Sequence, residues 1–281
     1  MVRCDIISTI LDKEVYHEIF DKYKNYIPDK FKKEYGTYGD CLRLPLLTGS
    51  NEFDNAISDL NRAGMHEGIQ YRVFRCVKYT KKEIEQSEYF EMSIGYPLEL
   101  EGKDASDYGT KYNFTCSQCG IRSDPVGNVL VNKTFLKKIK IGNLSPDIII
   151  AEDIMELFKS AGFSGITFGN KVLDYKGREM EPFYTMNINN VLPPMASGTY
   201  LFGGDSHFDN HRHTCDHNAY YLQSDIQYER YKLKDALDFN LTCEYLDNWR
   251  LRYIVVKANV RDFVISNNLR KNIGFFPVAI V

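Results

Sequence analysis

The sequence has no excess of basic residues, and this argues against a nucleic-acid-binding protein. Its 35 lysines and arginines face 38 aspartates and glutamates, which gives a formal net charge of −3. Nucleic-acid-binding domains usually carry a basic patch or a high pI, because phosphate contacts dominate their affinity. We therefore expect no nucleic-acid partner.

No apolar run approaches the roughly 18 residues that a transmembrane helix needs. The first 15 residues also lack the charged-then-apolar order of a secretion signal, because Asp5 and Asp12 interrupt it. We therefore expect a cytoplasmic protein without a membrane partner. In that reducing compartment the seven cysteines are predicted to be thiols or metal ligands rather than disulfides.

The common catalytic signatures are missing as well. The chain has neither the GxxxxGK[ST] phosphate loop nor the GxSxG nucleophile elbow. What it has in abundance is aromatic residues, with 20 Tyr and 17 Phe against a single Trp. Burial of so many rings predicts a folded core, and 281 residues suffice for one large domain or two modest ones.

Hydrophobic patterning predicts helices and strands mixed along the chain, which is an α+β fold. Residues 12–26 carry apolar side chains at helical spacing, and Ser50 can cap a second helix over residues 52–63. Residues 69–77 alternate as a half-buried strand does. We place an N-terminal α/β lobe at residues 1–110.

Two segments in the rest of the chain share one pattern and lie 106 residues apart. Within residues 147–158 and 253–264, three consecutive β-branched residues (148–150 and 254–256) are followed by the pattern of an amphipathic helix. Both then pass through a short turn into a second apolar strand. Each copy is therefore predicted to form a strand–helix–strand unit, and Gly162 is placed to end the first helix.

A cysteine lies upstream of both units, since Thr115-Cys116 has a counterpart in Thr214-Cys215. This predicts an internal duplication of a zinc-knuckle and strand–helix–strand module. The first module would span residues 111–205, and the second, less regular one residues 206–281. The alternative is a chance similarity between two ordinary strand–helix–strand units.

The sequence Cys116-Ser-Gln-Cys119-Gly120 has the form of a zinc-knuckle half-site. Two thiolates at this spacing can chelate one tetrahedral ion, and Gly120 allows the backbone to turn beneath them. A redox CxxC normally opens a helix, whereas Gly120 and Pro125 favour a loop here. We predict one structural zinc ion.

A structural zinc site needs four ligands, and the segment 211–217 offers the others. Cys215 aligns with Cys116 and is the predicted third ligand. Position 218, which matches Cys119, is an asparagine and a poor ligand, so the fourth is predicted to be His217 or His213. The alternative is that the histidines form a polar surface loop and the CxxC pair holds no metal.

The same segment supports a rival prediction of a metal-dependent hydrolase. His211, His213, Asp216 and His217 nearly match the HxHxDH pattern that binds a metal-activated water. One extra residue disturbs that spacing, and no histidine follows His217. A nucleic-acid-binding zinc ribbon is a third alternative, which the net charge disfavours.

The CxxCG at residue 116, the duplicated module and the stretch Tyr79–Ile84 together resemble the double-CxxCG motif family. The resemblance extends over roughly residues 70–281. Members are thought to be bacterial immunity proteins, which bind and neutralise a toxin made by the same bacterium. The resemblance implies a paired zinc site and a cognate toxin as partner. The second motif here reads Cys215-Asp-His217-Asn218, so a histidine would replace the fourth cysteine.

Overall fold

The computed structural model divides the chain into two units and describes most of its residues. The first unit comprises Met1–Gln86, Thr199–Phe202 and Leu222–Asp225, and the second comprises Ser87–Gly198, Gly203–Tyr221 and Ile226–Val281. The described residues are 2–9, 13–38, 41–67, 69–95, 109–116, 121–132, 136, 140–143, 147–176, 178, 182–199, 201–202, 219–222, 224–246 and 251–281.

The first unit is an antiparallel sheet with helices packed on it. Its strands are β1 (Val2–Thr9), β2 (Gly36–Tyr38), β3 (Cys41–Leu47) and β4 (Tyr71–Lys78), in the order β2-β3-β1-β4. Its α-helices are α1 (Glu14–Tyr23), α2 (Asn51–Arg62) and α3 (Lys81–Gln86), and two 3-10 helices lie at Lys24–Tyr26 and Asp29–Glu34.

The predicted helices over 12–26 and 52–63 are confirmed as α1 and α2. Phe20 of α1 and Leu60 of α2 are fully buried in one core with Ile7 and Leu44 of the sheet. Ser50 caps α2 as predicted, because its hydroxyl accepts a 3.2 Å hydrogen bond from the Phe53 N–H.

The second unit contains two small α/β layers, and the remaining elements lie in it except for Leu201–Phe202 and Leu222, which belong to the first unit. These elements are β5 (Tyr89–Ile94), β6 (Lys111–Cys116), β7 (Ile121–Val126), β8 (Leu130–Val131), β9 (Ile141–Asn143), β10 (Ile148–Ala151), α4 (Glu152–Ala161), β11 (Ile166–Lys171), β12 (Leu173–Asp174), β13 (Phe183–Ile188), β14 (Leu201–Phe202), β15 (Ala219–Leu222), β16 (Gln227–Tyr228), a 3-10 helix (Arg230–Leu233), β17 (Phe239–Leu241), β18 (Tyr245–Leu246), β19 (Ile254–Lys257), α5 (Ala258–Ser266), β20 (Ile273–Pro277) and β21 (Ala279–Ile280).

Two four-stranded antiparallel sheets in this unit have the same plan. The β10 sheet has the order β11-β13-β10-β9, and the β19 sheet has the order β20-β5-β19-β17. Both predicted strand–helix–strand units are present, as β10-α4-β11 and β19-α5-β20. Together with the first unit, these helices and largely antiparallel strands confirm the α+β class.

An aromatic cluster joins the two layers. Phe158 of α4 lies 5.7 Å, between ring centroids, from Phe263 of α5 and 5.9 Å from Phe239 of β17. Phe163 completes the cluster, at 5.1 Å from Phe263. Edge-to-face contacts of this kind add to the free energy gained by burying the rings. The two helices therefore share one core.

The boundary of the first lobe differs from the predicted one at residue 110. Strand β5, which that boundary assigns to the N-terminal lobe, pairs with β19 and β20 of the second unit. The alternation of apolar residues reveals that a segment is a strand, but it does not reveal which strand it pairs with. The N-terminal segment of the first unit ends at Gln86, and the unit also includes Thr199–Phe202 and Leu222–Asp225.

Candidate metal centre

Cys116 is the last residue of a β-hairpin strand. It lies opposite Ile121, the first residue of β7, so that residues 117–120 form the connection between the two strands. A redox CxxC normally opens a helix, whereas the described elements on both sides of this CxxC are strands. This setting differs from that of a redox CxxC, and the zinc knuckle stays a prediction.

Side chains next to the hairpin fix it to the start of β10. The Tyr112 hydroxyl of β6 donates a hydrogen bond to the buried carboxylate of Asp147, which directly precedes β10. The Arg122 guanidinium of β7 lies 5.1 Å from the centre of the Tyr112 ring, a cation–π contact. The strand that carries Cys116 is therefore held by contacts that need no metal.

The other predicted ligands lie outside the described residues. These are Cys119, His213, Cys215 and His217, and the hydrolase candidates His211 and Asp216 lie outside as well. Of the five predicted zinc ligands, the structure thus places Cys116 alone. Within the described part of the chain, no three His, Cys, Asp or Glu side chains lie together as metal ligands would.

The cysteines of the first unit have a different environment. Cys4 of β1 lies directly opposite Cys76 of β4. Burial raises the pKa of Cys4 to about 12, with smaller contributions from Cys76 and Asp5, and burial also raises the pKa of Cys76. The thiolate is the metal-binding form. These two thiols stay protonated at neutral pH and belong to the core.

A buried polar cluster near Cys243 was not foreseen from the sequence. The Tyr228 side chain is fully buried, and its hydroxyl has no hydrogen-bond partner within the described ranges. Burial, followed by the charges of Glu244 and Cys243, raises the pKa of Tyr228. Glu244 Oε1 accepts a 2.8 Å hydrogen bond from the Met195 N–H. Isolated residues far apart in sequence gave no pattern from which to predict this cluster.

Comparison with known proteins adds no relative to this description. No protein-family model matches the chain, and no curated protein matches it either. The resemblance to the double-CxxCG family therefore stays a prediction from the quoted motifs. Among the described residues, no helix has the length and apolar character that crossing a membrane requires.

Proposed function

We propose that this chain is a non-enzymatic zinc-binding protein, an immunity protein that binds and neutralises a cognate bacterial toxin. The observation that carries the zinc proposal is the position of Cys116. It ends one strand of a hairpin whose four-residue connection contains Cys119. CxxC held between two strands is the arrangement of zinc knuckles and ribbons.

The proposed ligands are Cys116 and Cys119 of the first motif, with Cys215 and either His213 or His217 of the second. Such a set is soft and tetrahedral, which suits Zn²⁺. With four protein ligands the ion would have no open position for a reactive water, so its role would be structural. Cys116, at the end of its strand, would supply one of the thiolate ligands.

The proposed duplication is supported by backbone hydrogen bonds that recur in both layers. The Ala151 N–H donates to Lys140 O at 2.8 Å, and the Lys257 N–H donates to Asp238 O at 3.1 Å. Residues 151 and 257 hold the same place at the end of β10 and β19. Chance similarity between two strand–helix–strand units would not extend to such edge bonds.

The short parallel strands recur in the same way. Strand β12 pairs with β8 in parallel, and β21 pairs with β16 in parallel. The Leu173 N–H donates to Val129 O at 2.9 Å, and the Ala279 N–H donates to Ile226 O at 2.9 Å. The similarity thus extends beyond the segments that the sequence aligned, and it favours duplication over coincidence.

The immunity role comes from the family resemblance, and the hairpin is compatible with it. Phe114 of β6 is 60% exposed and Val126 of β7 is 53% exposed. Aromatic residues such as Phe114 are enriched at protein-binding surfaces. We propose that the toxin contacts this hairpin, and that zinc holds its tip in one conformation.

Zinc content tests the metal proposal. We expect purified protein to hold about one zinc ion per chain, the number that four ligands bind. Cys116→Ser and Cys215→Ser should lose zinc and melt at a lower temperature. Cys41→Ser, in the first unit, is the matched control and should keep its zinc. A metal-free wild type, with mutants equally stable, would refute the proposal.

The partner proposal needs a separate test. The candidate toxin is the product of the gene adjacent to the one that encodes this chain, and its expression should arrest growth of a host strain. Co-expression of the wild-type chain should restore growth, and Phe114→Ser should restore it less well at equal protein level. If the wild-type chain neither restores growth nor binds the purified toxin, the immunity role is wrong for that partner.

A further inference from the structure

We propose that residues 87–176 and 182–281 are two tandem repeats that have exchanged their first strands within one chain. The proposal does not depend on zinc or on a toxin. It follows from the order of the elements along the chain, the sequences of two strands, and the partners of those strands.

The order of elements is the same in both segments. When β6 and β7 are left out of the first segment, and β14, β15, β18 and the 3-10 helix out of the second, β5 is followed by β8, β9, β10, α4, β11 and β12, and β13 by β16, β17, β19, α5, β20 and β21. Each member of the first series pairs as its counterpart in the second does. Strand β5 therefore opens the first repeat, and β13 opens the second.

The two opening strands also have similar sequences. β5 reads Tyr-Phe-Glu-Met-Ser-Ile and β13 reads Phe-Tyr-Thr-Met-Asn-Ile, with two aromatic residues first, Met fourth and Ile sixth. Their registers agree, because Met92 lies opposite Ile254 and Met186 lies opposite Ile148. Ile148 and Ile254 are the residues that the sequence comparison aligned.

The partners, however, are reversed. Strand β5 of the first repeat pairs with β19 and β20 of the second repeat. Strand β13 of the second repeat pairs with β10 and β11 of the first. Each sheet is thus completed by the opening strand of the other repeat.

Matching hydrogen bonds at the strand ends show that both exchanged strands are seated alike. Before the opening strands, the Ala258 N–H donates to Glu88 O at 2.9 Å, and the Glu152 N–H donates to Pro182 O at 3.0 Å. After them, the Gly95 N–H donates to Asn272 O at 2.7 Å, and the Asn189 N–H donates to Gly165 O at 3.1 Å.

The exchange has an energetic consequence. The opening strand lies between two others in each sheet, so its loss would leave two strand edges unpaired and remove buried side chains. Phe90 and Met92 of β5 are buried, as are Phe183 and Met186 of β13. In the exchanged arrangement each sheet is completed by a strand of the other repeat, so the two repeats are joined without any metal ion.

Engineered cysteine pairs in the full-length chain test the exchange. In the exchanged arrangement Ser93 lies opposite Gly274, and Asn187 lies opposite Thr167. Without exchange, Ser93 would lie opposite Thr167, and Asn187 opposite Gly274. The four double variants S93C/G274C, N187C/T167C, S93C/T167C and N187C/G274C therefore form a matched set at partly or fully exposed positions.

Each variant is oxidised mildly, digested without reduction and mapped by mass spectrometry. Side chains directly opposite in a sheet have Cβ atoms about 5 Å apart, so we expect the first two pairs to cross-link about ten-fold more than the last two. Native cysteines are identified separately by their peptides. A preference for the last two pairs would overturn the exchange. Covalent dimers instead of cross-linked monomers would overturn it too, since the strands would then swap between chains.

Discussion

The β10 sheet and the β19 sheet share strand order and register, yet their interiors differ at equivalent positions. Thr185 of the first corresponds to Glu91 of the second, and Gly142 corresponds to Asn240. Burial raises the pKa of Glu91 to about 7. The comparison indicates that apolar contacts on the face that packs against the helices determine the arrangement of the strands. The opposite face of each sheet accepts side chains as different as those of glycine, threonine, asparagine and glutamate.

The helices differ in the same manner. Phe158 of α4 and Val264 of α5 occupy equivalent positions, 106 residues apart, and both are fully buried. Phe158 contacts three other rings, of Phe163, Phe239 and Phe263. The two sheets therefore have the same strand arrangement, but the two helices contribute different side chains to the aromatic cluster at this position.

The largest effect on the free energy of unfolding is expected when the Phe158 ring is removed. Phe158→Ala should lower the free energy of unfolding by about 3–5 kcal/mol, because it leaves a large cavity among the rings. Val264→Ala removes less volume and should cost about 2 kcal/mol. Urea titration of both variants measures the difference. Equal losses of unfolding free energy in the two variants would mean that the ring contacts of Phe158 add no stability beyond that of an ordinary buried side chain at this position.

Glu91 should make the stability of the β19 sheet depend on pH. Below pH 4.5 the carboxyl is protonated whether the chain is folded or unfolded, so it carries no penalty. Between pH 4.5 and about 7 the unfolded chain ionises first, so stability falls as pH rises and stays low above the folded pKa.

Glu91→Gln should remove this dependence. Relative to wild type, the variant should gain up to about 3 kcal/mol between the two pH limits, at 1.36 kcal/mol per pKa unit. Unfolding titrations at several pH values measure the gain, and the exposed Glu18→Gln serves as control. A gain that did not change with pH would show that the Glu91 carboxyl is well solvated.

Asn240 should contribute to stability where Gly142 cannot. Its Nδ2 donates to Leu237 O at 2.8 Å and to Val255 O at 3.0 Å. Its Oδ1 accepts from Asn190 Nδ2 at 2.7 Å. Asn240→Ala leaves these groups unsatisfied and should cost about 2 kcal/mol.

The control for that prediction is the neighbouring amide. Asn190→Ala removes one of these hydrogen bonds from a more exposed site and should cost about 1 kcal/mol or less by thermal or urea unfolding. If the two losses were equal, the remaining bonds of Asn240 would be energetically neutral.

The smallest effect concerns a residue with left-handed backbone just beyond each helix. Gly162 has φ 68° after α4, and Asn268 has φ 57° after α5. Glycine adopts this left-handed conformation without a steric cost, so Asn268→Gly should stabilise by about 0.5 kcal/mol. Gly162→Asn should change the melting temperature in the opposite direction. Melting-temperature shifts of the same sign in the two variants would show that positions 162 and 268 are not equivalent.

Local patterns in the sequence predicted the local elements. The apolar triplets at 148–150 and 254–256 and the stop at Gly162 defined both strand–helix–strand units, because these signals act over a few residues. The pairing of β5 with β19 could not be predicted, since it joins residues 162 to 168 positions apart. The similarity between β5 and β13 was present in the sequence, but only the strand register shows that the two strands occupy equivalent positions in their sheets.

For the candidate site, spacing predicted Cys116 as a zinc ligand; the structure places Cys116 at the end of a hairpin strand, and its role as a ligand stays a prediction. The contact between Tyr112 and Asp147 could not be predicted, because single polar residues carry no periodicity. Whether Cys215 and a histidine complete the ligand set stays a prediction, since both lie outside the described residues.

The exchange of strands also determines how long each opening strand precedes its partners during synthesis on the ribosome. Strand β13 emerges soon after β10 and β11, whereas β5 waits until β19 and β20 have been made. At a synthesis rate of about 10 residues per second, that wait is on the order of 15 s. In the short interval before β13 emerges, the slot between β10 and β11 lies open to β5, whose sequence pattern is similar. Until β13 is synthesised, β5 can occupy the position between β10 and β11 that β13 takes in the folded chain. The order of synthesis therefore favours an intermediate in which β5 is trapped there.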